Sequence, residues 1–584
     1  MGRSHARDAG KAGADPQIIV GLFVISLLIS MLVVINIAVR VNEAIHGTPA
    51  EVSPNPFMVL GQVLGGSIPW TTTMTLAAAS VFLLLLAAVA FVFFLRPWGK
   101  DAKHKTSVDA AQRYLGDKKD IASLSRAAAV AKARKWISDP ELAEEYPGLR
   151  LGRVPGKGKR GLYSTWEDLY LIVFGPRMGK TTSQVIPAIV DAPGPVLTTS
   201  NKSDIIYETM GVRGPIGEIY AFDPQRIAAN FKQDPWFFDP LDMVRKTPAT
   251  MDAAAVELAD IFKCAAQGEN GGGDAFFVDG GRDLLARMFL AAAVANKPIT
   301  EVYTWVNNDK DLTPVRLLEA DGNWQLQKAA LEGQYQITER TRSGIFSQAA
   351  QMATPLGRKE ASRWITPTDG ARKFSPEDFV RSEADTLYVL SKEGADNAAA
   401  LTTALTAAVM KAAEEYGESC GGRLPVPLVA PLDEAANVVR WPQLPKLYSH
   451  YGSRSIILMT ILQSYAQGVS VWGEEGMEAL WSASAILMYG GGVRDEKMLN
   501  KLESLLGDYE EWTTSVSRGG DGNRSVSKQK REKKILTVAE LASLGGGKAV
   551  VFASQRRPII AQLEPFWERD YWPEEIRAAL PGKN

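Results

Sequence analysis

The chain has few of the residues that build metal centres and disulfide frameworks. Its 584 residues include only two cysteines, Cys264 and Cys420, and four histidines that lie far apart. Two cysteines cannot form a disulfide framework, and no Cys or His spacing is typical of metal ligands. An excess of one charge is also missing, since 65 Lys and Arg face 66 Asp and Glu, for a net charge of −1. A uniformly basic nucleic-acid coat is therefore excluded, and any polyanion site must be local.

The average composition hides two long apolar segments. The length leaves room for about four domain-scale units, and the mean hydropathy of −0.08 is that of a soluble protein. Residues 18–39 and 70–95 are nevertheless free of charged side chains, and each has the roughly 20 residues that a helix needs to cross a bilayer. The first is longer than a signal-peptide core and has no convincing cleavage site. The sequence predicts a transmembrane hairpin over residues 18–95.

Basic residues on either side of this hairpin predict its orientation. The loop 41–69 has no Lys or Arg, although Arg40 at its edge is a mild counter-signal. Basic side chains flank the two spans on the other side, namely Arg3, Arg7, Lys11, Arg96, Lys100, Lys103 and Lys105. Positive charges favour the cytoplasmic side, so we expect a multi-pass inner-membrane protein with both termini in the cytoplasm. Residues 96–150 are interpreted as a basic juxtamembrane linker that contacts anionic lipid or, as the alternative, DNA.

A phosphate-binding loop is predicted near residue 175. Residues 169–174 are typical of a short buried strand, and 183–190 are typical of a helix. Between them lies the sequence Gly175, Pro176, Arg177, Met178, Gly179, Lys180, Thr181, Thr182. In a P-loop, backbone N–H groups and the helix N-terminus bind phosphates, the Lys reaches the β- and γ-phosphates, and the Thr hydroxyl binds Mg²⁺. The loop has three residues between Gly175 and Gly179 instead of four, so we expect a tighter turn.

A second strand ends in two carboxylates. Residues 427–432 are apolar and lead into Asp433 and Glu434. We expect Asp433 to bind Mg²⁺ and Glu434 to polarise the attacking water. Residues 455–462 predict another buried strand, after which Gln463 is expected near the γ-phosphate. Arg454, and as an alternative Arg494, are candidates for an arginine that completes the site of a neighbouring subunit.

Residues 513–534 differ in composition from the rest of the chain. They are rich in Gly, Ser and Asn and include seven cations, namely Arg518, Arg524, Lys528, Lys530, Arg531, Lys533 and Lys534. We interpret this segment as a flexible basic loop. It is either a solvated insertion or a contact for the phosphates of single-stranded DNA, where electrostatics supply most of the affinity.

The ordered set of motifs resembles one family, the type IV secretion coupling proteins, or TraG-type conjugative DNA-transfer ATPases. The resemblance extends over most of the chain and is carried by the two spans, residues 151–152, 175–181, 196–204, 222–224, 238–241, 433–434, 452–455, 463–467, 535–541 and 557–559. The shortened P-loop is the main departure from the family's pattern.

The resemblance implies an α/β RecA-like P-loop NTPase core with an inserted all-α domain, preceded by the transmembrane hairpin. Helical patterns between residues 250 and 356 agree with such an insertion. The expected organisation is a cytoplasmic tail (1–17), the hairpin (18–95), the linker (96–150), the first part of the nucleotide-binding domain (151–245), the all-α domain (246–380) and its second part (381–584).

The predicted function is that of a membrane-anchored ATPase that uses ATP and Mg²⁺. Its expected cargo is a relaxase–single-stranded DNA complex, its expected partners are relaxosome proteins and the type IV secretion channel, and its expected assembly is a homohexamer. Two alternatives remain open at this point. One is an FtsK-like translocase of double-stranded DNA, and the other is a docking receptor that recruits protein effectors to a secretion channel.

Overall fold

The computed structural model describes residues 16–48, 51–95, 107–156, 160–267, 274–392, 394, 398–518 and 524–569. The chain divides into two compact units, Met1–His104 and Lys105–Asn584. The flanking cations predicted to orient the membrane spans (3, 7, 11, 96, 100, 103 and 105) lie outside the described residues.

The first unit consists of three helices, α1 (Pro16–His46), α2 (Pro56–Leu64) and α3 (Thr72–Leu95). A small apolar cluster that includes Val39, Val59 and Met74 packs between them. Within the described residues, one helical stretch, Ile29–His46, is long and apolar enough to cross a membrane, and Thr72–Leu84 is a shorter apolar stretch. The structure thus provides one candidate span, and the predicted two-span hairpin is not confirmed.

The second unit is built on an eleven-stranded sheet, counted over the described residues, with the order β2-β1-β15-β14-β11-β3-β10-β9-β4-β8-β5. Its strands, together with two small two-stranded ladders, are β1 (Arg150–Arg153), β2 (Gly161–Tyr163), β3 (Tyr170–Val173), β4 (Val196–Ser200), β5 (Ile219–Phe222), β6 (Trp236–Phe237), β7 (Arg372–Lys373), β8 (Thr386–Leu390), β9 (Leu428–Leu432), β10 (Ile456–Leu462), β11 (Ile486–Tyr489), β12 (Asp508–Arg518), β13 (Arg524–Lys534), β14 (Lys548–Ala553) and β15 (Ile559–Gln562).

Seven strands of this sheet, from β11 to β5 in the strand order, run parallel. Every residue of β3, β4, β9 and β10 is buried, because helices cover both faces of a parallel sheet. The remaining four strands extend one side in antiparallel fashion. Parallel strands bring their carboxyl ends to one edge, so β3, β9 and β10 end side by side.

Helices form the rest of the second unit. They are α4 (Ser107–Ala111), α5 (Lys118–Ser123), α6 (Arg126–Trp136), α7 (Pro140–Glu145), α8 (Ile186–Val190), α9 (Asp204–Arg213), α10 (Asp242–Arg245), α11 (Met251–Ala266), α12 (Ala275–Val294), α13 (Thr300–Val306), α14 (Thr313–Asp321), α15 (Gln325–Gln336), α16 (Glu339–Met352), α17 (Lys359–Ile365), α18 (Pro376–Arg381), α19 (Ala399–Ser419), α20 (Ala435–Val438), α21 (Leu444–Tyr451), α22 (Tyr465–Ala483), α23 (Glu496–Leu506) and α24 (Val538–Ala542). A π-helical turn, Thr181–Val185, precedes α8.

The helices α10 to α18 lie between β5 and β8 in the sequence, where the all-α insertion is expected. Buried apolar side chains on α11, α12 and α16 join them into one core. The ladder of β6 and β7 lies at the two ends of this helical segment, with Trp236 opposite Arg372. The insertion therefore leaves and re-enters the sheet at neighbouring points.

The described part of the predicted linker is folded, which corrects the interpretation of residues 96–150. Residues 107–145 form α4 to α7, and Arg150 already belongs to β1. Val108, Leu124 and Ile137 are buried in the apolar cores that flank the sheet. The high density of Lys and Arg suggested a linker, but described cations such as Arg113, Arg126 and Lys135 are exposed on short helices whose apolar side chains pack inward.

The predicted flexible loop 513–534 is also wrong in its described part. Strands β12 and β13 pair in continuous antiparallel register from Asp508 opposite Lys534 to Arg518 opposite Arg524. Lys530 contacts Glu510 at 2.7 Å, and further ion pairs link the strands near their base. Opposite charges across an antiparallel ladder stabilise it, a cross-strand pattern that composition alone conceals. Residues 519–523, at the tip, lie outside the described residues.

Candidate functional site

The glycine-rich loop begins where β3 ends and leads into the π-helical turn. Its chain reverses with positive φ at Arg177 (60°) and Gly179 (82°). This left-handed backbone is rare for a non-glycine residue such as Arg177. The two left-handed residues reverse the chain within the three-residue spacing between Gly175 and Gly179.

The loop rests against the segment after β11, the neighbour of β3. Gly175 donates its N–H to the Gly491 carbonyl oxygen at 2.9 Å. A Cβ atom on Gly175 would lie 2.2 Å from the carbonyl oxygen of Gly492, so only glycine fits there. The Met178 side chain lies beside Gly491 and Gly492. The role of these two glycines as a support for the loop was missed, although β3 and β11 are both short apolar strands with glycine within two residues of their ends.

The carboxylates of the second motif lie directly opposite the loop. Lys180 Nζ forms an ion pair with Glu434 and lies 3.5 Å from Asp433 Oδ1. Thr181 Oγ1 donates to Asp433 Oδ2 at 3.0 Å, and Gln463 Nε2 donates to Glu434 Oε1 at 2.7 Å. The ends of β3, β9 and β10 thus bring together five of the predicted site residues.

The backbone around the carboxylates is held by neighbours that the sequence did not reveal. Glu434 has a left-handed conformation, with φ of 55°, which turns its side chain sharply after β9. Thr199, at the end of β4, donates its hydroxyl to the Asp433 carbonyl oxygen at 2.7 Å. The adjacency of β4 and β9 creates this contact, and its sequence signal is a hydroxyl residue at the end of a buried strand.

Burial determines the electrostatics of the site. Asp433 and Glu434 are each 3% exposed. Burial raises the pKa of Asp433, Lys180 opposes that shift, and the neighbouring Glu434 adds to it. Lys180 therefore neutralises two neighbouring carboxylates. An incoming anion has to compete with these carboxylates for the positive charge of Lys180.

The same residues fit a divalent cation that is shared with a substrate. In the described part of the chain, no group of three or more His, Cys, Asp or Glu side chains could hold a metal ion. Mg²⁺ is commonly bound by one or two carboxylates together with phosphate oxygens and water. Thr181 Oγ1 and the Asp433 carboxylate, which already touch, offer that partial set of ligands.

The two candidate arginines lie at opposite edges of the sheet. Arg454 precedes β10 and pairs with Glu414 at 3.2 Å and Glu418 at 2.7 Å. It is therefore remote from the P-loop of its own chain. Arg494 follows β11 and is exposed at the P-loop edge.

A parallel sheet with a glycine-rich loop, a Lys-Thr pair and an acidic strand end defines an α/β P-loop NTPase of the RecA-like type. Residues 427–545 match the family described as the TraM recognition site of TraD and TraG. This match supports a type IV coupling protein of the TraG type, the family that the sequence resembles.

Solved structures share the fold. The unbound monoclinic form of the bacterial conjugative coupling protein TrwBdeltaN70 is 16% identical, with a TM-score of 0.51 over 72% of this chain and 90% of that one. Its trigonal form in complex with sulphate is 16% identical, with a TM-score of 0.50, and the match covers 72% of this chain and 91% of that one. TrwB in complex with ADP and Mg²⁺ is 16% identical, with a TM-score of 0.49 over the same shares. No curated protein matches the chain.

Proposed function

We propose that the chain is a membrane-anchored ATPase that couples a relaxase–single-stranded DNA complex to a type IV secretion channel and drives its transfer in conjugation. One observation carries the catalytic part of this proposal. Lys180 and Thr181 meet Asp433, Glu434 and Gln463 at the carboxyl edge of a parallel sheet. The family match over residues 427–545 supports the coupling role.

Each residue has a distinct part in ATP hydrolysis. The phosphates are bound by the backbone of the glycine-rich loop, namely Gly175, Pro176, Arg177, Met178, Gly179, Lys180, Thr181 and Thr182. Lys180 leaves the carboxylates and binds the β- and γ-phosphates. Thr181 and Asp433 hold Mg²⁺, which neutralises charge on the phosphate oxygens. Glu434, released from Lys180, polarises the attacking water, and Gln463 orients Glu434 through their hydrogen bond.

A homohexameric ring places each nucleotide between two subunits. Arg454 lies at the edge opposite its own P-loop. In the ring it leaves Glu414 and Glu418 and binds phosphate oxygens of the nucleotide held by the neighbouring subunit. Arg494, at the P-loop edge, is the alternative. Each arginine is substituted, and the inactive variant is mixed with inactive Lys180→Ala subunits. If the arginine acts in trans, a mixed ring contains sites in which Lys180 comes from one subunit and the arginine from its neighbour. ATP turnover should therefore return only in the mixture.

The first unit anchors the protein in the inner membrane. The candidate span Ile29–His46 and the apolar helix α3 support a membrane hairpin, and the basic residues that flank it in the sequence favour both termini in the cytoplasm. The second unit then faces the cytoplasm and receives the DNA. The family match to a TraM recognition site supports recognition of a relaxosome protein by residues 427–545.

ATP turnover with different DNA cofactors tests the proposal. The full chain in detergent should hydrolyse ATP, and single-stranded DNA should raise kcat more than double-stranded DNA does. Stimulation by double-stranded DNA alone would favour the FtsK-like translocase. Turnover insensitive to DNA, together with binding of a relaxosome protein, would favour the docking receptor.

A further inference from the structure

The helix that follows the P-loop is distorted by a proline. In an α-helix, the Ser183 carbonyl oxygen would accept the N–H of residue 187, but Pro187 has none and its ring clashes with the carbonyl group four residues earlier. The chain accommodates Pro187 with the π-helical turn Thr181–Val185, in which Ile186 donates its N–H to the Thr181 carbonyl oxygen. Ser183 is 2% exposed, so its carbonyl oxygen needs a donor from the protein.

A guanidinium from a distant part of the chain supplies such a donor. Arg569, 386 residues further along, donates from Nη2 to the Ser183 carbonyl oxygen at 3.1 Å. The Arg569 side chain is fully buried, and its Nη1 pairs with Asp191 at 3.0 Å. Asp191 caps the carboxyl end of α8. One guanidinium therefore holds the π turn before α8 and the carboxylate after it.

The segment that carries Arg569 is anchored independently of the P-loop. Arg150 in β1 forms an ion pair at 2.8 Å with Glu564, which follows β15, and both side chains are buried. Arg569 also donates to the Arg150 carbonyl oxygen at 3.3 Å. Phe566 lies in a buried apolar cluster with Ile186 of α8. The antiparallel strands β1 and β15 thus fix the position from which Arg569 reaches the π turn.

We propose that Arg569 is a positioning residue for the nucleotide site. By holding the Ser183 carbonyl oxygen, it fixes the turn that begins directly after Lys180, and with it the direction in which Lys180 and Thr181 face the phosphates and Mg²⁺. It acts through the backbone of the turn and not on ATP itself. A displacement of about 1 Å in a positioning contact can cost roughly 100-fold in rate. The inference rests on the proposed function, in which this loop binds ATP.

Arg569→Gln in the full chain tests this role. The amide removes the charge and does not reproduce the fork that reaches Ser183 and Asp191. We expect Kd for a fluorescent, non-hydrolysable ATP analogue with Mg²⁺ to rise about tenfold, since a hydrogen bond from a charged group is lost at a buried carbonyl. Fluorescence anisotropy gives Kd, and thermal unfolding of the same sample gives Tm.

Arg213→Gln is the matched control for lost stability. The Arg213 side chain is also fully buried. It donates to the backbone carbonyl oxygens of Ala192, Gly194 and Ala384, and within the described residues none of its hydrogen bonds reaches the π turn. Both variants should lower Tm, but the control should bind the analogue within about twofold of wild type. Equal weakening by both variants would assign the effect to general destabilisation and overturn the proposal.

Arg569→Lys keeps the protein testable if Arg569→Gln does not fold. The ammonium group retains a positive charge beside Asp191 but lacks the planar fork of a guanidinium. Tm should therefore lie closer to that of wild type, while Kd for the analogue should still rise about fivefold. Wild-type affinity in Arg569→Lys would show that the contact with Ser183 is dispensable and would overturn the proposal.

Pro187→Ala tests the contact through the backbone. The substitution supplies an N–H at position 187 that can donate to the Ser183 carbonyl oxygen in place of the guanidinium. In this background, Arg569→Gln should raise Kd less than about threefold, since both changes act on the same carbonyl and their effects do not add. Tm should fall as much as in the wild-type background, because the ion pair with Asp191 is lost in both. A tenfold effect on Kd in both backgrounds would overturn the proposal.

The wild-type chain separates this proposal from the proposed function. If it neither binds the analogue nor hydrolyses ATP, the proposed function fails, and the positioning role fails with it. If it does both and Arg569→Gln binds the analogue within about twofold of wild type, only the positioning role fails.

Discussion

Lysine pairs with acidic side chains in two regions of the second unit, the buried P-loop site and the exposed ladder of β12 and β13. At the P-loop, the side chain of Lys180 is 12% exposed and faces two buried carboxylates. In the β12–β13 hairpin, Lys530 and Glu510 are 53% and 57% exposed. Removing one partner of a buried pair leaves an uncompensated charge, whereas a solvated pair contributes little. Distance alone therefore does not rank these contacts, and each prediction below tests that difference.

The largest effect is expected from Lys180→Ala. It removes the cation that neutralises Asp433 and Glu434 and that binds the phosphates, so ATP turnover should fall below about 1% of wild type. Phosphate release measured on the full chain in detergent checks this. Lys446→Ala, which removes an exposed lysine from α21, should leave turnover unchanged. Wild-type turnover in Lys180→Ala would refute the P-loop assignment.

Glu434→Gln should separate binding from hydrolysis. The amide keeps the side chain's shape but cannot act as a base, so kcat should fall at least about 100-fold while ATP remains bound. Stopped turnover with retained binding of a labelled nucleotide checks this. The control is Glu496→Gln in α23. Near-normal hydrolysis in Glu434→Gln would move the water-activating role to another residue.

The cations of the β12–β13 hairpin should influence the affinity for DNA more than the folding stability of the protein. Neutralising Arg518, Arg524, Lys528, Lys530, Arg531, Lys533 and Lys534 should weaken single-stranded DNA binding about tenfold and flatten its salt dependence.

A charge-balanced control sharpens the comparison. Replacing Lys530, Lys533 and Lys534 together with their acidic partners Glu510, Glu511 and Asp508 leaves the net charge unchanged and should hardly alter affinity. If neutralising all seven cations has no effect on DNA binding, the hairpin is a solvated extension.

The raised pKa of Asp433 gives the buried site a pH signature. Because burial raises this pKa, the folded protein binds the proton more tightly than the unfolded chain, whose Asp pKa is about 3.9. The stability that this carboxyl contributes is therefore greatest below about pH 4 and is lost as the pH rises through the folded pKa. As the pH rises above about 4, the Tm of Asp433→Asn should rise relative to that of wild type. A constant difference in Tm would contradict this.

The smallest effect is expected from the exposed pair of Lys530 and Glu510. A double-mutant cycle with Lys530→Gln and Glu510→Gln should give a coupling energy below about 1 kcal/mol, since both side chains are more than half exposed. A larger coupling would remove the contrast between the two regions.

Much of the candidate site could be predicted from the sequence because parallel strands impose a simple rule. A residue that follows such a strand lies at the carboxyl edge, so Lys180, Asp433 and Gln463 were expected at one edge of the sheet once β3, β9 and β10 were identified, and the adjacency of these strands brings them together. The same rule places Arg454, which precedes β10, at the opposite edge. The hydrogen bonds among these residues could not be foreseen, since they depend on the left-handed turn at Glu434.

Other parts of the fold were hidden from sequence reasoning. The β12–β13 hairpin was missed because its stability comes from charge pairs across two strands, such as Asp508 with Lys534, and not from alternating apolar residues. The helices of residues 107–145 were missed because they are short and the segment as a whole is rich in charged residues. The support of the P-loop by Gly491 and Gly492 depends on strand order, and the sequence does not specify that β11 lies beside β3.

The position of β3 between β10 and β11 affects how the protein is made. The P-loop strand leaves the ribosome early, but both of its partners in the sheet follow on the order of 300 residues later. At about 5–20 residues per second, this apolar strand waits roughly 15–60 s for its neighbours. During that time the unpaired apolar strand exposes the nascent chain to aggregation. A truncated product that stops before β10 would contain the complete glycine-rich motif and yet have no nucleotide site.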